Sequence, residues 1–448
     1  MLLLTLDLLQ GSIELAKSQN IVPLDNPYIH YDGVFYPTIT PMLVTFDRHK
    51  AAVYNNTESG IYGAWIYQWV STQTGIRIRL KTNSPTIKFT FQQRSGGGTI
   101  GASPTNGFSV FADSVLNGTF SSLVFTINNP NPGNSTFYEV SLPNLWAVDL
   151  IGIELASTYF LNDPGALVKP VYVAIGDSKT HGTGQYVSSA KTYPFQLANL
   201  MKWDLHNIAV AGATTGWAMA LNIQGKQVDN ITIEIGFNDW KYLSDALAVR
   251  QTQYEKLIDS LRCYLPNANI YCITPCVSTD PSGAAPYSLE DFRTMVETIV
   301  KLRKQTDSKL FLFPGPAVSD ATMLASGDMV HLSESGALML ANNLKAAINN
   351  PASVLTSNQP GISMQRKTKI NYICSSEIFV TTNGEGYFSF ELFTTDGKRL
   401  AIVENIFLKE GQNEVSWSPS GLFIGNAYLV SIKQNELIEG TQIMLLDK

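Results

Sequence analysis

From Pro170 onward the chain alternates unbroken apolar runs with amphipathic stretches, and no other feature limits its fold so strongly. Pro170-Val-Tyr-Val-Ala-Ile-Gly176 is apolar throughout, as a strand buried on both faces of a parallel sheet must be. Further strands are expected at residues 205–211, 231–236, 269–275 and 309–313. Helices are expected at 193–202, 246–263, 289–305 and 334–349. Strand-then-helix repetition over residues 168–350 predicts an α/β domain built on a parallel sheet.

The flanks read differently. Across residues 20–163, runs of period two at 76–80, 86–91, 107–112, 137–142 and 150–155 are separated by turn clusters such as Asn83-Ser-Pro85 and Asn128-Asn-Pro-Asn-Pro-Gly133. Short strands with regular turn punctuation predict a jelly-roll-like β-sandwich. Residues 350–361 read as a linker, and 362–448 return to β patterning as a small β-sandwich. That last segment includes a hairpin expected over 388–403 around Asp396-Gly397.

Composition removes some function classes. With 31 Lys and Arg against 37 Asp and Glu, the net charge is −6, and no basic cluster suits phosphate neutralisation, so no nucleic-acid partner is expected. No run reaches the roughly 18–20 apolar residues of a membrane span. The apolar start Met1-Leu-Leu-Leu-Thr-Leu-Asp7 and the small residues near Ala16-Lys-Ser18 read as a clipped or replaced signal peptide, or else as the first ordered segment. Low charge with many aromatics suits β-rich domains outside the cytoplasm, and a secreted, periplasmic or cell-surface location is expected. Cys263, Cys272 and Cys276 crowd together without metal-site spacing, which leaves free thiols or a Cys263–Cys272 or Cys263–Cys276 disulfide open.

Four blocks in the α/β segment carry chemistry. Gly176-Asp177-Ser178 follows the first strand, at the end of a parallel sheet where ligands bind. Asn207-Ile-Ala-Val-Ala-Gly212 ends the second expected strand on a glycine, whose backbone N–H can approach a substrate oxygen. Gly236-Phe-Asn238-Asp239 ends the third, where a carboxamide can stabilise an oxyanion. Asp328-Met-Val-His331 precedes the last helix, and a carboxylate at that spacing can reach one ring nitrogen while the other takes the Ser178 proton. His181, three residues after Ser178, reads as a wall of the site. Trp217, Trp240 and Tyr242, just after the second and third blocks, are candidates to stack on a sugar ring, with core packing as the alternative for each.

Taken in order, these blocks resemble the SGNH/GDSL hydrolases over about residues 168–350. The resemblance implies a flavodoxin-like three-layer α/β/α fold and ester hydrolysis through a serine acyl-enzyme. It implies Ser178 as nucleophile, His331 as base, Asp328 as its orienter, and the Ser178 N–H, Gly212 N–H and Asn238 side chain as oxyanion donors. It calls for no cofactor and no metal. Lys179 stands where the family's GDSL name has Leu, a position that varies and is not catalytic. An N-terminal β-sandwich before such a domain is similar to several carbohydrate esterases. The C-terminal segment, with Gly397-Lys-Arg-Leu400 and Leu408-Lys-Glu-Gly411, resembles sorting domains of the Bacteroidetes type IX secretion route, which implies a secretion apparatus as partner. The expected function is a serine esterase acting on acyl, foremost acetyl, esters of a small molecule or polysaccharide. The alternatives are a lipid or aryl esterase or thioesterase with the same triad, and a non-catalytic carbohydrate-binding surface protein.

Overall fold

The computed structural model describes residues 19–351, apart from 51–52, 54–65, 98–106, 132 and 186–187, together with 368–445, apart from 374–376, 383–384, 395–398, 417–426 and 435–436. The N-terminal leader, the core of the expected linker and the Asp396-Gly397 turn lie outside the described residues. The chain divides into two compact units, Met1–Ser357 and Asn358–Lys448, and the first holds both the N-terminal β segment and the α/β segment. Among the described residues, no helix is long and apolar enough to cross a membrane.

Five parallel strands form the centre of the first unit, in the spatial order Asp204–Asn207, Val171–Gly176, Asn230–Glu234, Asn269–Ile273, Leu310–Phe313. In chain order this is 2-1-3-4-5, the flavodoxin-type arrangement whose switch point lies between the first and third strands. Successive side chains of a strand point to opposite faces, and both faces here are apolar. Val173, Ile175, Ile231 and Ile233 pack with Leu257 and Leu261 of helix Leu247–Tyr264 and Val296 of helix Leu289–Arg303. Tyr172 and Ala174 pack on the other side with Phe195 of helix Tyr193–Met201 and Leu340 and Leu344 of helix Glu334–Asn349. Helices therefore cover both faces of the sheet.

One expectation fails in an informative way. The strand expected over 205–211 ends at Asn207, five residues before Gly212. The Asn207 side chain turns back to accept the Ala209 N–H at 3.0 Å, and a guanidinium takes the carbonyls that a neighbouring strand would otherwise pair.

The N-terminal segment forms two antiparallel sheets. Strands Tyr36–Ile39, Val44–Asp47, Val148–Leu155, Thr86–Gln93 and Val124–Asn128 run in order across one, with Asn20–Val22 added beside Val148–Leu155. Leu161–Asn162, Arg77–Thr82, Thr136–Ser141, Phe108–Ala112 and Val115–Phe120 make the other, with His30–Asp32 beside Arg77–Thr82. Alternate residues of both, among them Phe89, Phe91, Ile78, Val110 and Val140, share one core. Strand Val115–Phe120 escapes a reading by period because none of its residues is buried. The second unit has a three-stranded and a four-stranded antiparallel sheet, and Val380, Val415, Phe388, Phe390 and Ile432 form its core. Cys263, exposed, and Cys272 and Cys276, buried, are all free thiols.

The N-terminal sheets meet the parallel sheet through polar contacts. Arg77 pairs with Asp204 at the start of the second parallel strand and donates to the Leu205 carbonyl at 3.3 Å. Ser109 donates to Ser188 at 2.7 Å, and the Asn144 amide donates to the carbonyls of Gly182 at 2.8 Å and Gln185 at 3.1 Å. Removing one member of a buried pair leaves the other charge without its compensation. Arg77→Met is therefore expected to destabilise the first unit by about 3 kcal/mol, read from urea unfolding. A loss below about 0.5 kcal/mol, as for a solvated surface pair, would contradict this.

Candidate active site

The apolar strand Val171–Gly176 ends at the sheet's carboxyl rim, Asp177 turns the chain, and a one-turn helix begins at Ser178. Asp177 caps that helix, its Oδ1 accepting the Lys179 N–H at 3.1 Å. The helix ends at His181, with Gly182 in the left-handed region. Two residues on, Gly184 has φ +96°, and a Cβ there would fall 2.4 Å from the Leu332 carbonyl oxygen and 3.3 Å from the His331 Cβ. Gln185 then donates to the same Leu332 carbonyl at 2.5 Å. The exit of the Ser178 helix thus seats directly against the backbone that carries His331.

Asp328 organises its own loop. Its Oδ1 accepts the N–H groups of Val330 at 2.8 Å and His331 at 2.9 Å, which bends the chain back over the carboxylate. Its Oδ2 lies 2.8 Å from His331 Nδ1, and His331 Nε2 lies 3.0 Å from Ser178 Oγ. A carboxylate facing Nδ1 selects the tautomer with its proton there and leaves Nε2 to accept the hydroxyl. Burial raises the Asp328 pKa, but the N–H groups of His331 and Val330 and the His331 ring outweigh it and hold the carboxyl below its usual range. Ser178 is only 8% exposed, whereas the side chains of His331 and Asp328 are 25% and 33% exposed. A hydroxyl on an imidazole that is itself oriented by a carboxylate is an arrangement able to make serine nucleophilic.

Residues 208–216 pass the same rim without regular structure and are buried except at Gly212, which is partly exposed with φ +80°. Asn238, in the first turn of helix Phe237–Tyr242, donates one amide hydrogen to the Ala213 carbonyl at 2.9 Å. A carboxamide has a second N–H for another acceptor. Asp239 is fully buried and accepts the Thr215 N–H at 2.9 Å and the Thr215 hydroxyl at 3.1 Å, with Arg250 at 3.4 Å. Spacing within Gly236-Phe-Asn238-Asp239 gives Asp239 no task of its own. Here it ties the Gly212 segment to the Asn238 helix.

The substrate-contact candidates fare unevenly. His181 does not wall the site, because it is wholly buried and bonded at both ring nitrogens, Nδ1 accepting the Ala211 N–H at 2.9 Å. Trp240 is buried edge-on to Phe237 with Gly283 against its ring, so core packing takes the face that a sugar would need. Trp217 is half-buried against the core, and Tyr242 is 67% exposed. Among the described residues, no group of three or more His, Cys, Asp or Glu is placed to hold a metal ion.

Beneath Ser178 lies a buried cluster that the sequence did not announce. Asp177, Lys179 and Glu234 are each about 1% exposed. The Lys179 ammonium sits 4.9 Å from the Phe237 ring centre and has no hydrogen-bond partner among the described residues. Burial and the neighbouring Glu234 push the Asp177 carboxyl up from 3.8 to about 8, against the pull of Lys179. The folded state therefore keeps a proton that the unfolded chain releases above pH 3.8, and the stability this group contributes declines as pH rises from about 4 to about 8. Asp177→Asn keeps an acceptor for the Lys179 N–H and cannot ionise. Thermal melts across that pH range are expected to decline less for the variant than for the parent, and parallel curves would contradict a protonated Asp177.

Residues 174–338 match the model of the GDSL-like Lipase/Acylhydrolase family. No curated protein matches the sequence. Among solved structures, the chain is similar to the salicylyl-acyltransferase SsfX3 from a tetracycline biosynthetic pathway, at 18% identity and a TM-score of 0.63 over 75% of this chain and 99% of that one. It is similar to a family two carbohydrate esterase from Cellvibrio japonicus, at 14% identity and a TM-score of 0.52 over 75% and 99%. A family two carbohydrate esterase from Clostridium thermocellum, in complex with cellohexaose, aligns at 19% identity and a TM-score of 0.50 over 63% and 94%. At these identities the likeness is one of fold. The family match over residues 174–338 marks the chain as an ester hydrolase.

Proposed function

We propose that the chain is a serine esterase that removes acyl groups, foremost acetyl, from carbohydrate through an acyl-enzyme on Ser178. The observation that carries this reading is the His331 ring, 3.0 Å from the Ser178 hydroxyl on one side and 2.8 Å from the Asp328 carboxylate on the other. In the first half-reaction Ser178 Oγ attacks the acyl carbonyl while His331 Nε2 takes its proton. The tetrahedral oxyanion is held by the N–H groups of Ser178 and Gly212 and the free N–H of Asn238. His331 returns the proton to the departing sugar oxygen. Water then attacks the acyl-enzyme, again giving its proton to His331, and Ser178 is regenerated as the carboxylic acid leaves.

The carbohydrate side of the proposal draws on company rather than on pocket residues. Two structural neighbours are carbohydrate esterases, one of them solved with cellohexaose. Export to the cell surface, drawn from composition, the apolar N-terminal start and the C-terminal resemblance, belongs to the same proposal.

Acetate release from acetylated polysaccharide tests the reading. Ser178→Ala and His331→Ala are expected to lower kcat by roughly 10³–10⁶-fold, and Asn238→Ala by roughly 10²–10³-fold. Undiminished turnover in Ser178→Ala would end the assignment. A series of p-nitrophenyl esters separates the substrates, since a steep optimum at long acyl chains would replace deacetylation with a lipid-type esterase using the same residues.

A further inference from the structure

The chemistry drawn above uses no residue before Asp177. Even so, the N-terminal β segment sends a buried side chain into the segment that carries Gly212. Arg48 follows strand Val44–Asp47 and is 1% exposed. Its Nη1 donates to the carbonyls of Asn207 at 2.8 Å and Ala209 at 2.9 Å. Its Nε donates to the Thr72 carbonyl at 2.6 Å and its Nη2 to the Trp69 carbonyl at 3.1 Å. A planar guanidinium with donors in a fixed fork joins two backbone stretches more rigidly than a flexible ammonium could.

His181 supplies a second tie. It sits on the helix that begins at Ser178 and accepts the Ala211 N–H on Nδ1 at 2.9 Å. Its Nε2 lies 2.8 Å from Thr72 Oγ1 and 2.9 Å from the Asn144 carbonyl. A carbonyl only accepts, so Nε2 carries the proton and Nδ1 the free lone pair. Burial, with the Arg48 charge nearby, lowers the His181 pKa well below its usual value and keeps this ring neutral. One imidazole thus fixes the distance between the Ser178 helix and the peptide that enters Gly212, and the N-terminal segment holds that imidazole in its tautomer. On the far side, Asn238 holds the Ala213 carbonyl. Gly212, the accessible residue of the stretch, is bracketed between anchored neighbours.

We infer that Arg48 and His181 are positioning residues for the oxyanion hole: held from the N-terminal β segment, they aim the Gly212 N–H at the oxygen that becomes negative. This rests on the reading of Gly212 as an oxyanion donor. Neither residue touches substrate. Their effect appears in the transition state, where misplacement by about 1 Å can cost about 100-fold.

The experiment compares an ester with its thionoester, in which sulfur replaces the carbonyl oxygen. The larger, weakly accepting sulfur gains little from donors set for oxygen, so an intact hole favours the ester strongly. Arg48→Met and His181→Phe are expected to lower kcat about 10- to 100-fold with KM changed less than about twofold, and to shrink the ester-to-thionoester ratio. Asn238→Ala, which removes a donor outright, calibrates that ratio. His181→Asn, which keeps an acceptor near Nδ1, and Arg48→Lys, which keeps a positive donor, are expected to recover part of both. Circular dichroism and thermal melts check folding, and if Arg48→Met does not fold, Arg48→Lys and His181→Asn decide alone. Folded variants with parental kcat, or with equal losses on ester and thionoester, would overturn the inference. Failure of the esterase reading looks different, because the parent protein would then hydrolyse neither substrate or Ser178→Ala would retain activity.

Discussion

A buried peptide group left without a partner costs roughly 1–3 kcal/mol, and residues 208–215, buried except at Gly212, run on past the end of their strand with the Ile208 and Val210 N–H groups still bonded to the carbonyls of Ala174 and Gly176, so other peptide groups of the stretch need partners elsewhere. Side chains meet the demand. Arg48 takes the carbonyls of Asn207 and Ala209, His181 the N–H of Ala211, Asn238 the carbonyl of Ala213, and Asp239 the N–H of Thr215. These residues come from three separate parts of the chain, so the segment holds its course only when the whole first unit is folded. The candidate oxyanion donor is therefore a product of long-range packing, although its motif is local.

That dependence explains what could and could not be read beforehand. The α/β segment was legible because burial on both sheet faces forces continuous apolar runs, and helix Glu334–Asn349 was expected at the same bounds at which it occurs. Ser178, His331 and Asp328 each sit at a strand end or loop whose position follows from the α/β pattern. Their separation in space, 3.0 Å and 2.8 Å, was not legible. The early end of the second strand was hidden because Ile208-Ala-Val-Ala211 is apolar enough for a strand and still bonds the first parallel strand through the Ile208 and Val210 N–H groups, while Arg48 takes the Asn207 and Ala209 carbonyls. Arg48 carries no local signal at all, since a single arginine after a strand reads as a solvated surface residue. His181 was misread for a related reason. Nearness in sequence to Ser178 suggested the substrate side, while the helix turns that ring inward.

Exposure separates the aromatic candidates in the same way. Tyr242 and Trp240 lie on one short helix, yet one is open to solvent and the other is packed against Phe237. A period of 3.6 residues puts neighbours two apart on different faces. Spacing from the third block alone could not say which of them faces outward.

The replacement of an apolar residue by Lys179 has its own consequence. With Asp177 protonated, the buried cluster holds one negative charge fewer beside the Lys179 side chain. Above about pH 8 the carboxyl that caps the Ser178 helix gives up its proton, and a buried negative charge appears one residue from that serine.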